Sequence, residues 1–219
     1  NLRSLYGGLN IINSNLNGNS IYLFNSNSED AINFINSDII LKYISFRNIK
    51  SDALDSDASN LDLKKIYCEN IGNDCLDLSF SNSIVDSIYA KSVKDKVISI
   101  GENSNLKLNK LTVKNSEIAI VAKDSSSLLL NQFNFDNVKI PISAYVKKQE
   151  FEAPKVLIKS LKNSLNEKFL DFVSKDSRLT IDNKIFLGLK DSSEILEILY
   201  GNEYGVKTER RWDMRENLF

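Results

Sequence analysis

Six segments decide the fold: Ala31-Ile-Asn-Phe-Ile35, Ala53-Leu-Asp-Ser-Asp57, Cys75-Leu-Asp-Leu-Ser79, Val97-Ile-Ser-Ile-Gly101, Ala119-Ile-Val-Ala-Lys123 and Pro141-Ile-Ser-Ala-Tyr145. Each begins 22 residues after the one before. Their second positions form an aliphatic column of Ile32, Leu54, Leu76, Ile98, Ile120 and Ile142. Further apolar columns follow in each line: Leu41, Leu63, Val85, Leu108, Leu130; then Ile44, Ile66, Ile88, Leu111, Phe133; then Phe46, Cys68, Ala90, Val113, Phe135. One residue slips in before Leu108. A polar column of Asn48, Asn70, Ser92, Asn115 and Asn137 closes each line. Agreement of several columns over five or six lines is an internal repeat, and a repeat fixes the architecture before any local propensity does.

A period of 22 is too short for a pair of helices. Apolar residues alternate within each line, which is the period of a strand. They are β-branched or aromatic and are cut by Asn, Ser, Asp and Gly. Each line therefore reads as one coil of an all-β parallel solenoid with two or three short strands per coil. Like residues stack about 4.8 Å apart, and the apolar columns fill the bore. The Asn column suits turns, where an amide can bond its own backbone and the Asn of the next coil.

The chain has 219 residues, 28 Lys+Arg against 29 Asp+Glu, and no His. The balanced charge, with no aromatics interleaved in a basic stripe, gives no reason to expect nucleic acid. The lack of His excludes Ser-His and Cys-His catalysis and His-ligated zinc. Cys68 and Cys75 lack CxxC spacing. Cys68 falls in a bore column, so a buried free thiol is expected rather than a disulfide. No apolar run reaches the length of a membrane span and no signal peptide opens the chain. The sequence starts mid-pattern, as expected of a mature form or a fragment.

Around the regular lines, residues 1–30 read as an imperfect earlier coil, with strand-like Leu9-Asn-Ile-Ile12 and Asn19–Phe24 out of phase with the grid. The parallel β-helix is expected over 1–160. Val146–Pro154 reads as a loop bulging from the stack, and Val156-Leu-Ile158 with Leu161 as a last strand pair. A cap is expected over 161–205, covering the bore: a hairpin around Asp182-Asn183 and one short helix at Ser192–Tyr200 with Asp191 or Ser192 as cap. The charged tail, 206–219, including Arg210-Arg211, reads as a solvated end.

The columns between the inward ones carry the functional question. One reads Asn33, Asp55, Asp77, Ser99, Val121, Ser143; the next reads Ile35, Asp57, Ser79, Gly101, Lys123, Tyr145. The corner before them holds Asp30, Asp52, Asp74 and Lys96, where turn-facing acids are expected; the corner after holds Asn36, Ala58, Phe80, Glu102 and Asp124. Acids therefore gather on adjacent coils. Stacked carboxylates about 5 Å apart need a cation, a shared proton or open water. Asp is also a poor strand residue. Asp55, Asp57 and Asp77 could accordingly hold Ca²⁺, act as a general acid–base pair on a glycoside, or simply face solvent.

The 22-residue coil, the Asn column and the face of stacked acids, with the strings Asp52-Ala-Leu-Asp55 and Asn73-Asp-Cys-Leu-Asp77, resemble the pectin-lyase-like superfamily of right-handed parallel β-helices and β-helix segments of exported bacterial surface proteins. The resemblance spans about residues 9–160. It implies an extended polysaccharide partner and an extracellular, cell-surface or periplasmic location. It implies that Asp55, Asp57 and Asp77 would hold calcium, with Lys123 or Lys96 as base. Asp55, Asp57, Asp77 and Lys123 are thus the candidate catalytic residues, and Phe80, Ser99, Glu102 and Tyr145 the candidate substrate contacts. Two functional classes follow: a polysaccharide lyase or hydrolase, and a non-catalytic structural or glycan-binding module of a larger exported protein.

Overall fold

A computed structural model describes residues 7–201. In chain order the strands are β1 (Gly7–Ile12), β2 (Asn15–Phe24), β3 (Asp30–Ile35), β4 (Asp38–Ile49), β5 (Asp52–Asp57), β6 (Asn60–Ile71), β7 (Leu76–Ser79), β8 (Asn82–Val93), β9 (Lys96–Ile100), β10 (Asn105–Lys123), β11 (Ser127–Tyr145), β12 (Lys155–Ile158), β13 (Arg178–Ile181) and β14 (Lys184–Phe186). A 3-10 turn, Glu167–Phe172, precedes β13, and one helix, α1 (Ser192–Leu199), follows β14. Every strand pairing is parallel except the β13–β14 hairpin. The result is a parallel β-solenoid of about eight coils, as the repeat requires.

The register explains where the repeat looks irregular. Pairs such as Ile32↔Leu54↔Leu76↔Ile98 keep the step of 22. The first coil is one residue longer, with Leu9 on Ile32 and Leu16 on Ile39. The slip before Leu108 lies at a corner where Glu102 and Asn103 both take positive φ, instead of the single such residue, Asn36, Ala58 or Phe80, at the earlier coils.

Each coil has three flats. The first holds β1, β3, β5, β7, β9 and the ends of β10 and β11. The second holds the opening residues of β2, β4, β6, β8, β10 and β11, with β12 to β14. The third is the later half of each long strand. Between the second and third flats the ladder skips Lys42 and Lys64, and Leu41 and Ile44 both turn inward. The bore is apolar, lined in the second coil by Ile32, Phe34, Ile39, Leu41, Ile44 and Phe46, all buried.

Two ladders hold the corners. In the polar column, Asn25, Asn48, Asn70, Ser92, Asn115 and Asn137 all take positive φ, which Asn tolerates better than most residues. Their amides bridge coils, Asn48 to Asn25 at 3.0 Å, Asn70 to Asn48 at 3.1 Å and Asn137 to Asn115 at 3.0 Å. The other ladder is buried. Ser37, Ser59, Ser81 and Ser104 each accept the backbone N–H of the residue below, Ser14, Ser37, Ser59 and Ser81, at 3.0 to 3.1 Å.

The cap is split between two jobs. Phe169 of the 3-10 turn meets Phe186 of β14 edge-on at 5.6 Å, and both join the bore cluster. The strip that follows β14 crosses the end so closely that a Cβ on Gly188 would lie 1.9 Å from the Val173 carbonyl oxygen. The hairpin turns through Asp182 and Asn183, both at positive φ. Helix α1 opens with the Glu194 carboxylate accepting the Asp191 N–H at 2.8 Å. It does not cover the bore. Ile195 and Leu199 pack on the outside of the first flat against Ile118, Val121, Ile140 and Tyr145.

The free-thiol expectation is overturned: Cys68 and Cys75 form a disulfide with Cα atoms 6.1 Å apart. The reason is a bend. The ladder passes from Asp30↔Asp52 to Ile32↔Leu54 without pairing Ala31 and Ala53, so the column Ala31, Ala53, Cys75, Val97, Ala119 turns into the bore. Cys75 there meets Cys68 across the corner. Among the described residues no helix is long and apolar enough to cross a membrane. The tail expected at 206–219 lies outside the described residues.

Candidate functional site on the first flat

The strand ladder stacks the acids as the repeat places them. Asp55 pairs with Asn33 below and Asp77 above, and Asp77 with Ser99. Asp57 lies between Ile35 and Ser79. Asp55, Asp57 and Asp77 are half-buried. Burial, then the charges of Asp57 and Asp77, push the Asp55 carboxyl up to about 8. Burial, then Asp52, pushes Asp30 up to about 7. Asp57 is raised by burial and by Asp77. One oxygen of Asp77, and the side-chain oxygen of Asn33, are buried without a hydrogen-bond partner. The Asp30 and Asp55 carboxyls therefore retain protons near neutral pH.

The corner acids do more than face water. Asp52 accepts from the Asn73 amide and the Asp74 N–H, both at 2.7 Å. Asp74 accepts the Lys96 N–H at 3.0 Å and lies 3.4 Å from its ammonium, which also meets Asp95 at 2.6 Å. Burial favours losing the Lys96 charge, but these two carboxylates outweigh it and hold the ammonium protonated.

Further along the stack the flat closes. Lys123, Ser99, Glu102 and Tyr145, expected on outward positions, are buried. Lys123 bends down one coil and donates to Ser99 Oγ at 3.0 Å, so its ammonium comes closer to Asp77 than its place two coils away suggests. Burial works against its charge, yet Asp77, Tyr200 and Asp74 together outweigh this and its affinity for the proton is raised. Tyr145 is covered by α1, its hydroxyl 3.2 Å from that of Tyr200. The covering helix is the reason Tyr145 does not reach solvent, and nothing in the repeat marks it.

The other corner is occupied by the chain itself. Asp124 accepts the N–H groups of Lys147 and Lys148 at 2.6 and 2.9 Å, which folds the loop 146–154 back on the stack. From that loop Lys148 reaches Glu102 at 2.6 Å. Ser79 donates to the same carboxylate at 2.8 Å. Burial would raise Glu102, but these bonds hold it below its ordinary range. Phe80, at positive φ and 54% exposed, faces Phe151 with ring centroids 6.2 Å apart.

Among the described residues, no three acidic or cysteine side chains converge as a metal site requires. Compared with family models, curated proteins and solved structures, the chain finds no match in any of the three. The site must therefore be read from its own chemistry.

Proposed function

We propose that this chain is a polysaccharide-associated solenoid whose working surface is the half-buried strip Asp55, Asp57 and Asp77, with Asp55 donating a proton to a glycosidic oxygen. The observation that carries this reading is the Asp55 carboxyl, raised to about 8 beside its stacked neighbour Asp77. A general acid must hold its proton at working pH, and a like charge in a partly dry site is how carboxylates are tuned to do so. Stacked strand positions lie about 4.8 Å apart, close to the roughly 5–5.5 Å carboxyl separation of retaining glycoside hydrolysis. Lys123 does not serve as base in this reading, because its proton is held. That disfavours elimination. An oxidising, extracellular or cell-surface setting fits the disulfide.

A second reading is a non-catalytic glycan-binding or structural module. It is favoured by Phe80 and Glu102, which are engaged by Phe151 and Lys148 of the same chain and leave the strip without an aromatic sugar platform. Product analysis on a panel of uronate and neutral polysaccharides separates the readings. New reducing ends without unsaturated sugars, lowered by about 10²-fold or more in Asp55→Asn, support the proposal. Unsaturated products overturn it, and binding without cleavage leaves the module.

A further inference from the structure

We propose that the third flat holds an extended acidic polysaccharide, laid along the stack over a field of lysines. The stretches that form this flat and its rims, 42–50, 64–72, 86–94, 109–117 and 131–139, hold ten basic residues against four acidic ones. The whole chain has a net charge of −1, so positive charge gathers here while the first flat carries acids. Lys42, Lys50, Lys65, Lys94, Lys110 and Lys114 are exposed. Among the described residues none of these six forms an ion pair. Glu69 is already shared by Arg47 at 3.5 Å and Lys91 at 3.4 Å. Along the sequence these cations are scattered, and only the ladder collects them. It puts Lys65, Ser87 and Lys110 in one column, and Lys91 and Lys114 in adjacent coils of another.

The arrangement selects the occupant. A surface of one sign draws a partner of the other, and ammoniums spread over several coils suit a polymer rather than a single anion. Adjacent coils lie about 4.8 Å apart, so the Cα atoms of Lys65 and Lys110, two coils apart, are separated by roughly 10 Å. That is the reach of a pair of sugar rings in an extended chain. Around them Ser87, Thr112 and Gln132, on neighbouring outward positions, offer hydroxyl and amide groups to sugar hydroxyls. A single-stranded nucleic acid would instead need free aromatic faces on which to stack its bases. Here Tyr67 is sandwiched between Tyr89, with centroids 5.4 Å apart and planes at 8°, and the Arg47 guanidinium, 5.2 Å from its ring. Lys65 lies over the Tyr43 ring at 5.7 Å. This surface is separate from the acid strip, and it rests on the polysaccharide reading only for the class of its occupant.

Fluorescence anisotropy with the whole chain and labelled polymers tests this. The probes are hyaluronan, which carries carboxylates, dextran sulfate, which carries sulfates, and neutral dextran. Binding of either acidic polymer, without binding of neutral dextran, is the expected result, and the one bound more tightly names the acid group. Added salt should weaken it by screening the exposed lysines. The combined variant Lys65→Gln, Lys110→Gln, Lys114→Gln should weaken binding by roughly tenfold, as loss of three exposed ion pairs does. Lys107→Gln with Lys155→Gln, exposed lysines of the second flat, should leave it unchanged, with circular dichroism confirming that both variants fold. Asp55→Asn should also bind as wild type does, so loss of cleavage on the first flat and loss of binding on the third are read separately. Three results overturn the proposal: no binding of either acidic polymer, equal weakening by the two sets of lysine substitutions, or binding of single-stranded DNA or anionic phospholipid vesicles as tight as that of the acidic polysaccharides.

Discussion

At the scale of single residues, the molecule depends on small polar groups that repeat as faithfully as the aliphatics. Ser81 shows why. Its hydroxyl accepts the Ser59 N–H at 3.1 Å and donates to the carbonyl of Ser56 or Ser79, all in a place closed to water. Ser81→Ala leaves a buried N–H without a partner, which costs about 1–3 kcal/mol. In a domain of this size each kcal/mol moves the melting temperature by about 2–4 °C, so thermal melting should fall by roughly 2–12 °C. An unchanged melting temperature would show that the serine ladder is incidental. The sequence reading missed this ladder, although Ser37, Ser59, Ser81 and Ser104 keep the 22, 22 and 23 steps of the apolar columns. It lies hidden among many other Ser and Asn residues whose spacing carries no such order.

At the scale of elements, the alternation of Ile, Leu and Phe showed which side chains enter the bore, and hairpin and helix signals placed β14 and α1. Corners were less legible, because a strand's period of two holds only where the chain runs straight. The bend at Ala31 puts two successive residues inward and so brings Cys75 to Cys68. The column Ala31, Ala53, Cys75, Val97, Ala119 is apolar throughout, and that was the available signal. The bridge closes a short loop around the corner carrying Asn73 and Asp74. Removing it should cost about 2–3 kcal/mol by chain entropy. The double variant Cys68→Ala, Cys75→Ala isolates this effect, since Ala90 and Ala53 already stand in the adjacent coils of those columns. The denaturant midpoint should drop with the slope unchanged. An identical midpoint with and without the bridge would contradict the pairing.

At the scale of the whole molecule, the solenoid turns a short repeat into a graded surface. The first flat runs from carboxyls at Asp30, Asp55 and Asp77, through the ammoniums of Lys96 and Lys123, to the aliphatic patch under α1. The acid end could be read from the columns. The closed end could not, because it depends on a helix some fifty residues away in sequence and on Lys123 bending down a coil. The gradient has a thermodynamic consequence with a definite sign. Asp30 and Asp55 titrate near 7 and 8 in the folded chain but near 4 when unfolded. The folded state therefore binds more protons across that interval, and stability falls as pH rises through it. The groups held low, Glu69 and Glu102, act below that interval, and there is no His to mask the effect. The decisive measurement is the melting temperature of wild type and Asp55→Asn from about pH 5 to about pH 8. A steady fall in wild type, shallower in Asp55→Asn but not abolished because Asp30 still titrates near 7, is the expected result; a wild-type melting temperature that is level or rises over that range would contradict a proton held on the acid strip.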